Sequence, residues 1–299
     1  VLINKDNLGE LDYQFRTGYN EAFATAASMA DRLATVIPIT GPSISLTGLK
    51  AFAKMRKWVG PRHHKNLEAL GLTVTPEIYE DTVDVPRSDI EDDTYGQIMP
   101  AIRGLGTGAA ALDNDLVAGI LQGSSSQLGY DSLALAADTH AMGGTTYDNS
   151  ITTAISIAAI KTAIDWFAAL KDEAGQQLSI RPTALITSSG GSAYWAARKY
   201  LQREMIVDSG VYVDAETYQA LEHIPFPAIT SAKFWAVVCL TEAYRPVVLV
   251  RRTQPELTAR TNPDSDQAFE LDRYSWGTRY RVTAAPGPWQ FAYGSTGAG

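Results

Sequence analysis

Apolar side chains return at every fourth position through residues 8–33, LGELDYQFRTGYNEAFATAASMADRL, at Leu11, Phe15, Tyr19 and Phe23. The spacing predicts a solvated helix with one apolar stripe, and that stripe needs a partner. ATVIPIT at 34–40 predicts a strand that Pro38 restricts to an edge or a bulge. The next stretch, GPSISLTGLKAFAKMRKWVGPRHHKNLEALG, is a long insert rich in glycine and lysine with little to bury, so it reads as peripheral. LTVTPEIYEDTVDVPRSDIEDD at 72–93 alternates as a long strand and stops at Pro86. Ser88 is then placed to cap a helix whose first turn holds Asp89, Glu91, Asp92 and Asp93 at the favourable end of the dipole. That helix runs to about Leu121 on a stripe of Ile98, Ile102, Leu105, Ala109, Leu112, Leu116 and Ile120. It also contains Pro100, Gly104, Gly106 and Gly108. Each glycine costs about 1 kcal/mol against alanine and an interior proline about 3 kcal/mol, so the element is weak, kinked or split unless neighbours hold it.

ITTAISIAAIKTAIDWFAALK at 151–171 is apolar enough to imitate a membrane span, but Lys161 and Asp165 interrupt it. Two apolar faces, Ile151, Ile155, Ala158, Thr162, Trp166 and Leu170 beside Ile157, Ile160, Ile164 and Phe167, predict a buried helix packed on two sides. Beyond it, RPTALITSSGGSAYWAARKYLQREMI predicts a strand at 183–187, a Ser-Gly turn and a helix from about Ser192. KFWAVVCLTEAYRPVVLVRRTQPELTAR predicts two strands around Tyr244 to Pro246, and AFELDRYSWGTRYRVTAAPGPWQFAYG adds more strand before a glycine-rich tail. No internal repeat appears. The sum is an α+β chain with an extended arm and a projecting hairpin.

Composition narrows the function classes. With 299 residues and 45% hydrophobic content the chain can fill a sizeable core. Its formal net charge of -8 argues against a general attraction for nucleic acid or anionic membrane. The single cysteine, Cys239, sits in the apolar run FWAVVCL and reads as a small core side chain. The opening VLINKDNLGELDYQ has no basic stretch followed by an apolar one, so the expectation is a cytoplasmic product without a secretory signal.

Candidate chemistry is sparse. His63 and His64 are adjacent and cannot share one metal from one helix face, so they read as solvated. Asp138 and His140 in DTHAMGG have a spacing found in metal hydrolases but lack a further ligand cluster, and a loop or strand-end pair is the plainer reading. GLGTG at 104–108 imitates a dinucleotide loop without the strand that should lead into it. TSSGGS at 187–192 suits a helix cap better than a nucleophile elbow, since Gly-x-Ser-x-Gly is absent. The acidic run IEDDT at 90–94 is accounted for by the helix dipole without a divalent cation. No catalytic, metal or cofactor residue is assigned.

Three blocks carry more information: KWVGPRHHKNLEALGLTVTPEIYEDTVDVPRSDIEDDTYGQIMPAI at 57–102, RPTALITSS followed by RKYLQRE within 181–204, and RPVVLVRRTQPELTAR at 245–260. In content and order the chain resembles the Mu-like prophage major head subunit family, gpT, among tailed-phage major capsid proteins. The similarity is poor at 124–150, at 205–232 and in the C-terminal tail.

The resemblance implies the Hong Kong 97-type capsid fold. On this chain it would give an N-terminal arm at 1–33, an extension loop at 34–87, a peripheral domain with a spine helix at 88–150, a mainly axial domain at 151–245, and a return to the peripheral domain at 246–299. It implies a virion structural protein rather than an enzyme, made in the bacterial host cytoplasm. The subunit would assemble with itself into hexamers and pentamers of an icosahedral shell around packaged double-stranded DNA, with no cofactor and no membrane. Portal and scaffold proteins, and a possible decoration protein, are the further partners. An encapsulin-like compartment is the alternative of the same fold, and a metal-dependent hydrolase is one of a different class. Inter-subunit contacts are expected from Phe15 and Tyr19 of the arm and from Lys54, Lys57, Trp58, Arg62, His63 and His64 of the loop, where an aromatic and cations suit an interface. Pro100, Gly104, Gly106 and Gly108 are expected either to let the spine helix flex or to admit a close neighbour.

Overall fold

The computed structural model describes residues 5–26, 28–46, 72–92, 95–123, 128–173, 175–201, 205–208, 211–214, 221–241, 244–263 and 265–295. In chain order the elements are α1 (Lys5–Thr25), α2 (Ala30–Leu33), β1 (Ala34–Pro38), β2 (Ile44–Leu46), β3 (Leu72–Val74), β4 (Glu77–Pro86), α3 (Arg87–Glu91) and α4 (Tyr95–Leu121). Then come β5 (His140–Met142), β6 (Thr145–Tyr147), β7 (Ser150–Ile151), α5 (Ile157–Ala169), β8 (Ala184–Ser188), α6 (Gly191–Leu201), β9 (Met205–Asp208) and β10 (Val211–Asp214). The chain closes with β11 (Glu222–Phe226), β12 (Trp235–Val238), β13 (Val247–Arg260), α7 (Asp266–Leu271), β14 (Arg273–Pro286), a 3-10 turn at Trp289–Phe291, and β15 (Ala292–Ser295).

Two compact units share these elements. One comprises Val1–Ser28, Pro76–Asn114 and Arg251–Thr283, and the other Met29–Thr75, Asp115–Val250 and Ala284–Gly299. In the first, β4 pairs antiparallel with β14 from Arg273↔Pro86 to Val282↔Glu77. Alternation then turns Tyr274, Trp276 and Tyr280 inward, where they are at most 2% exposed. Leu8, Leu11, Phe15 and Tyr19 of α1, Ile98, Ile102 and Leu105 of α4, and Leu257 of β13 complete that core. The partner of the α1 stripe is therefore the chain itself.

In the second unit the sheet order is β11-β8-β12-β15-β7, so the C-terminal strand sits between elements from the middle of the chain. β8 pairs parallel with β11 and antiparallel with β12, and all five of its residues are buried, the polar Thr187 and Ser188 at its end included. α5 covers this core with Ile157, Ile160, Ala163 and Phe167. A second, smaller core forms where β2 and β3 bring Leu46 and Val74 against Val248, Val250 and Ala285. β1 is the edge of the sheet β1-β13-β14-β4 and ends on Pro38, as the proline predicts. Cys239 is fully buried, also as predicted.

Several expectations are corrected. The strand expected over 72–86 breaks at Thr75 and Pro76 into β3 and β4, which pair with different partners. Ser88 is not a cap: the chain leaves β4 through Pro86, α3 starts on Arg87, and no side chain caps it. The helix expected from Ser88 is thus two helices, α3 and α4. α5 begins only at Ile157, because the Ser156 hydroxyl accepts from Ala159 N and sets the start there. It buries one face, with Ala158 and Thr162 exposed, rather than two. AFEL opens no strand but ends α7, whose N-terminus is capped by the Ser265 hydroxyl accepting from Ala268 N.

Candidate functional site

The long helix α4 holds most of the residues singled out from the sequence, and the structure separates their roles. A β-carbon added to Gly106 would lie 2.6 Å from Tyr19 O and 3.1 Å from Phe23 N, so the α1 backbone crosses here at a distance that only glycine permits. Gly18 of α1 likewise faces the Met99 sulfur, 2.6 Å from where a β-carbon would lie. Gly104 and Gly108 differ: both are exposed, and nothing lies within 4 Å of an added β-carbon. Pro100 is exposed on the same helix. The crossing is locked by polar contacts of α1. The Tyr19 and Thr278 hydroxyls share a hydrogen bond of 2.7 Å, Arg16 donates to Leu257 O at 2.7 Å, and Trp276 Nε1 donates to Asp12 at 3.2 Å. Burial raises the Tyr19 pKa, keeping its hydroxyl protonated.

Phe15 and Tyr19 are 0% and 1% exposed, and Phe15 meets Trp276 edge-on at 4.9 Å. Their expected contact with a neighbouring subunit is therefore corrected: the rings are spent on the chain's own core and present no surface. Lys54, Lys57, Trp58, Arg62, His63 and His64 lie outside the described residues.

One turn beyond the glycines, Asp113 is 3% exposed and accepts from Arg251 Nη2 at 2.6 Å and from the Tyr280 hydroxyl at 2.8 Å. This ties α4 to β13 and β14 through a buried charge pair, and desolvation together with the Asp113 charge pushes the Tyr280 hydroxyl far above its ordinary pKa. Nothing in the helical periodicity marks Asp113, since a lone acid on a helix reads as solvated.

Asp138 and His140 do not converge. Asp138 is exposed, whereas His140 is 1% exposed, lies flat on Trp289 with ring centroids 4.6 Å apart, and holds Asp131 at 2.5 Å through Nδ1. The Gly143-Gly144 pair that follows is the two-residue turn of the β5–β6 hairpin, with φ of 58° and 76°. Among the described residues no group of three or more potential metal ligands is present. TSSGGS forms the β8-to-α6 turn, where the Ser188 hydroxyl donates to Gly190 O and the Thr187 hydroxyl lies 2.9 Å from His223 Nε2.

The outward face of β14 and β4 is polar. Arg273 donates to Asp84 at 3.0 Å and the Ser275 hydroxyl donates to the same carboxylate at 2.5 Å; the serine bond first, and the arginine second, hold Asp84 below its usual pKa. An open cavity of about 500 Å³ lies beside them, lined by Thr82, Asp84, Thr258, Ala259, Arg260, Ser275 and Gly277. These groups form a wet, charged surface without the convergent acid, base and nucleophile of a catalytic centre. The alternation of RYR at 279–281 marks such a face in sequence.

Known proteins match this architecture. The major capsid protein of Escherichia phage Mu is 22% identical over 292 residues, covering 98% of this chain and 74% of the relative. A chain from the procapsid of bacteriophage JBD30 superposes with a TM-score of 0.63 at 24% identity, covering 98% of this chain and 76% of that one. A virus-like particle from Pyrococcus furiosus shares the fold at a TM-score of 0.53 and 11% identity, covering 95% of this chain and 98% of that one. The fold is thus the Hong Kong 97-type capsid fold. Residues 8–156 and 227–298 match the family model of the Mu-like prophage major head subunit gpT, and the chain belongs to that family.

Proposed function

We propose that this major head subunit builds a closed icosahedral shell of hexamers and pentamers around packaged double-stranded DNA, with no catalytic role. The observation that carries the reading is the gpT family match over both ends of the chain. Likeness to a virus-like particle at 11% identity speaks for the fold alone, so it does not favour a cargo compartment over a phage head. In this reading 1–33 is the arm, 34–87 the extension loop, 88–150 with 246–299 the peripheral domain, and 151–245 the axial domain. Portal and scaffold proteins would act during assembly in the host cytoplasm, and a decoration protein is a further partner of the finished shell.

The loop carrying Lys54, Lys57, Trp58, Arg62, His63 and His64 would lie across a neighbouring subunit. It is joined at a ladder where β2 and β3 pair Leu46 with Leu72. Electron microscopy and sedimentation of the purified protein test the reading. Closed particles are expected, and particles recovered from lysing cells should contain protected duplex DNA. Trp58→Ala should lower particle yield without lowering the unfolding midpoint of unassembled protein, because an interface tryptophan is commonly worth about 2 kcal/mol or more. A protein that stays monomeric at all concentrations, or particles filled with protein cargo, would overturn it.

A further inference from the structure

The outward face of β13 and β14 gathers three guanidinium groups that no described carboxylate holds in an ion pair. Arg279 and Arg281 lie two residues apart on β14 and so point the same way, opposite Glu80 and Ile78 of β4. Arg252 of the adjacent strand β13 stands close enough that it and Arg279 both repel Arg281. Among the described residues none of the three makes an ion pair, and Arg281 Nε is buried without a hydrogen-bond partner. A buried donor left unmet is costly, and three like charges add to that cost. Glu80 and, by strand alternation, Glu256 are the carboxylates nearest on this face.

We propose that Arg252, Arg279 and Arg281 form a contact surface that receives exposed carboxylates from a second copy of this chain. The inference rests on the head-subunit reading and assigns one contact of the assembly.

Charge complementarity identifies the occupant. The chain has 33 acidic residues against 25 lysines and arginines, and at the end of α3 stand the exposed Asp92 and the exposed Glu91, whose carboxylate also accepts from Arg87 of the same helix at 2.9 Å. Within one subunit these acids cannot reach the arginines. α3 follows Pro86, which pairs with Arg273, and the six to eight residues from there to Arg279 and Arg281 span about 20–27 Å of strand. A neighbour set head to tail brings its α3 onto the patch, and such heterologous contacts repeated by rotation close rings. Duplex DNA suits the patch less well. A continuous polyanion needs a broad basic stripe, whereas Glu80 and Glu256 interrupt this one and the chain as a whole is at -8.

The test is a charge swap on the full chain, read as particle fraction by sedimentation, with thermal unfolding of unassembled protein alongside. Arg279→Glu with Arg281→Glu, and separately Glu91→Arg with Asp92→Arg, should each lower the particle fraction at least tenfold. The four changes together should restore it to within about threefold of the original protein. Arg279→Gln with Arg281→Gln is the milder variant that decides the matter should the glutamates prevent folding, and a loss of at least threefold is expected from it. Unchanged assembly of the arginine variants, or a loss that the fourfold variant does not restore, would overturn the proposal. So would unchanged assembly accompanied by lost binding of a 30-base-pair duplex, which would give the patch to nucleic acid. Failure of the original protein to assemble would instead strike the head-subunit reading.

Discussion

A methyl group meets different surroundings at each glycine of α4. At Gly106 it would collide with the α1 backbone, and neither helix can yield without disturbing Phe15, Tyr19 and Trp276. Gly106→Ala is expected to destabilise the unassembled subunit by about 1–3 kcal/mol, the range of an overpacked core. Gly104→Ala and Gly108→Ala meet open space, and each should stabilise it by about 0.5–1 kcal/mol through helix propensity. Urea denaturation of the three variants measures this, and a common sign for all three would contradict the assignment. A second residue gives a pH signature. Burial, followed by the charge of Arg198, lowers the pKa of His223, so the folded state keeps this imidazole neutral where the unfolded chain takes up a proton. Stability linked to it is complete above the unfolded value of about 6.5 and is lost as pH falls from there toward the folded value. His223→Gln, which can still bond the Thr187 hydroxyl, should flatten the acid-side slope of unfolding midpoint against pH.

At the scale of the element, the β2–β3 ladder gives the proposed extension loop two ends that a short turn can join. Leu46 pairs directly with Leu72, the geometry that a two-residue turn joins. Replacing 47–71 with Asn-Gly should therefore leave the unfolding midpoint of the unassembled protein within a few degrees, since shortening a loop lowers its closure entropy. Particle formation should be lost. A collapse of the subunit would show that the segment belongs to its own core. The helix α4 shows the opposite dependence. Its sequence carries Pro100 and glycines that argue against a 27-residue helix. What sustains it is tertiary: the α1 crossing at Gly106, and the Asp113 carboxylate buried against Arg251 and Tyr280, whose loss would strand a buried charge at a cost of about 3–5 kcal/mol.

For the whole molecule, each unit is assembled from three separated segments, so the chain ends matter to the middle. β15 stands between β12 and β7, and Trp289 just before it stacks on His140. Asn149, fully buried, donates to Leu135 O at 2.8 Å and to Ala292 O at 3.1 Å. Truncation after Thr283 removes the strand, the tryptophan and the acceptor together. The shortened chain should lose cooperative thermal unfolding and expose apolar surface to a hydrophobic dye, whereas retention of a sharp transition would show that the second unit closes without its C-terminal strand.

The sequence alone was enough for the family, because blocks such as SDIEDD and PELTAR are specific in wording and order, and for local choices made by short-range physics. Pro38 ending an edge strand, Cys239 in the core and the TSSGGS turn are of that kind. The destination of Phe15 and Tyr19 was not legible there, since a stripe every fourth residue states that a partner exists without saying which chain supplies it. Nor could periodicity distinguish Gly106 from Gly104, place Asp113 beside Arg251 across 138 residues, or separate Asp138 from His140. Each of these depends on which backbone passes within a few ångströms of which other. That is set by the packing of distant segments around a shared core, and it leaves no trace in the spacing of neighbours along the chain.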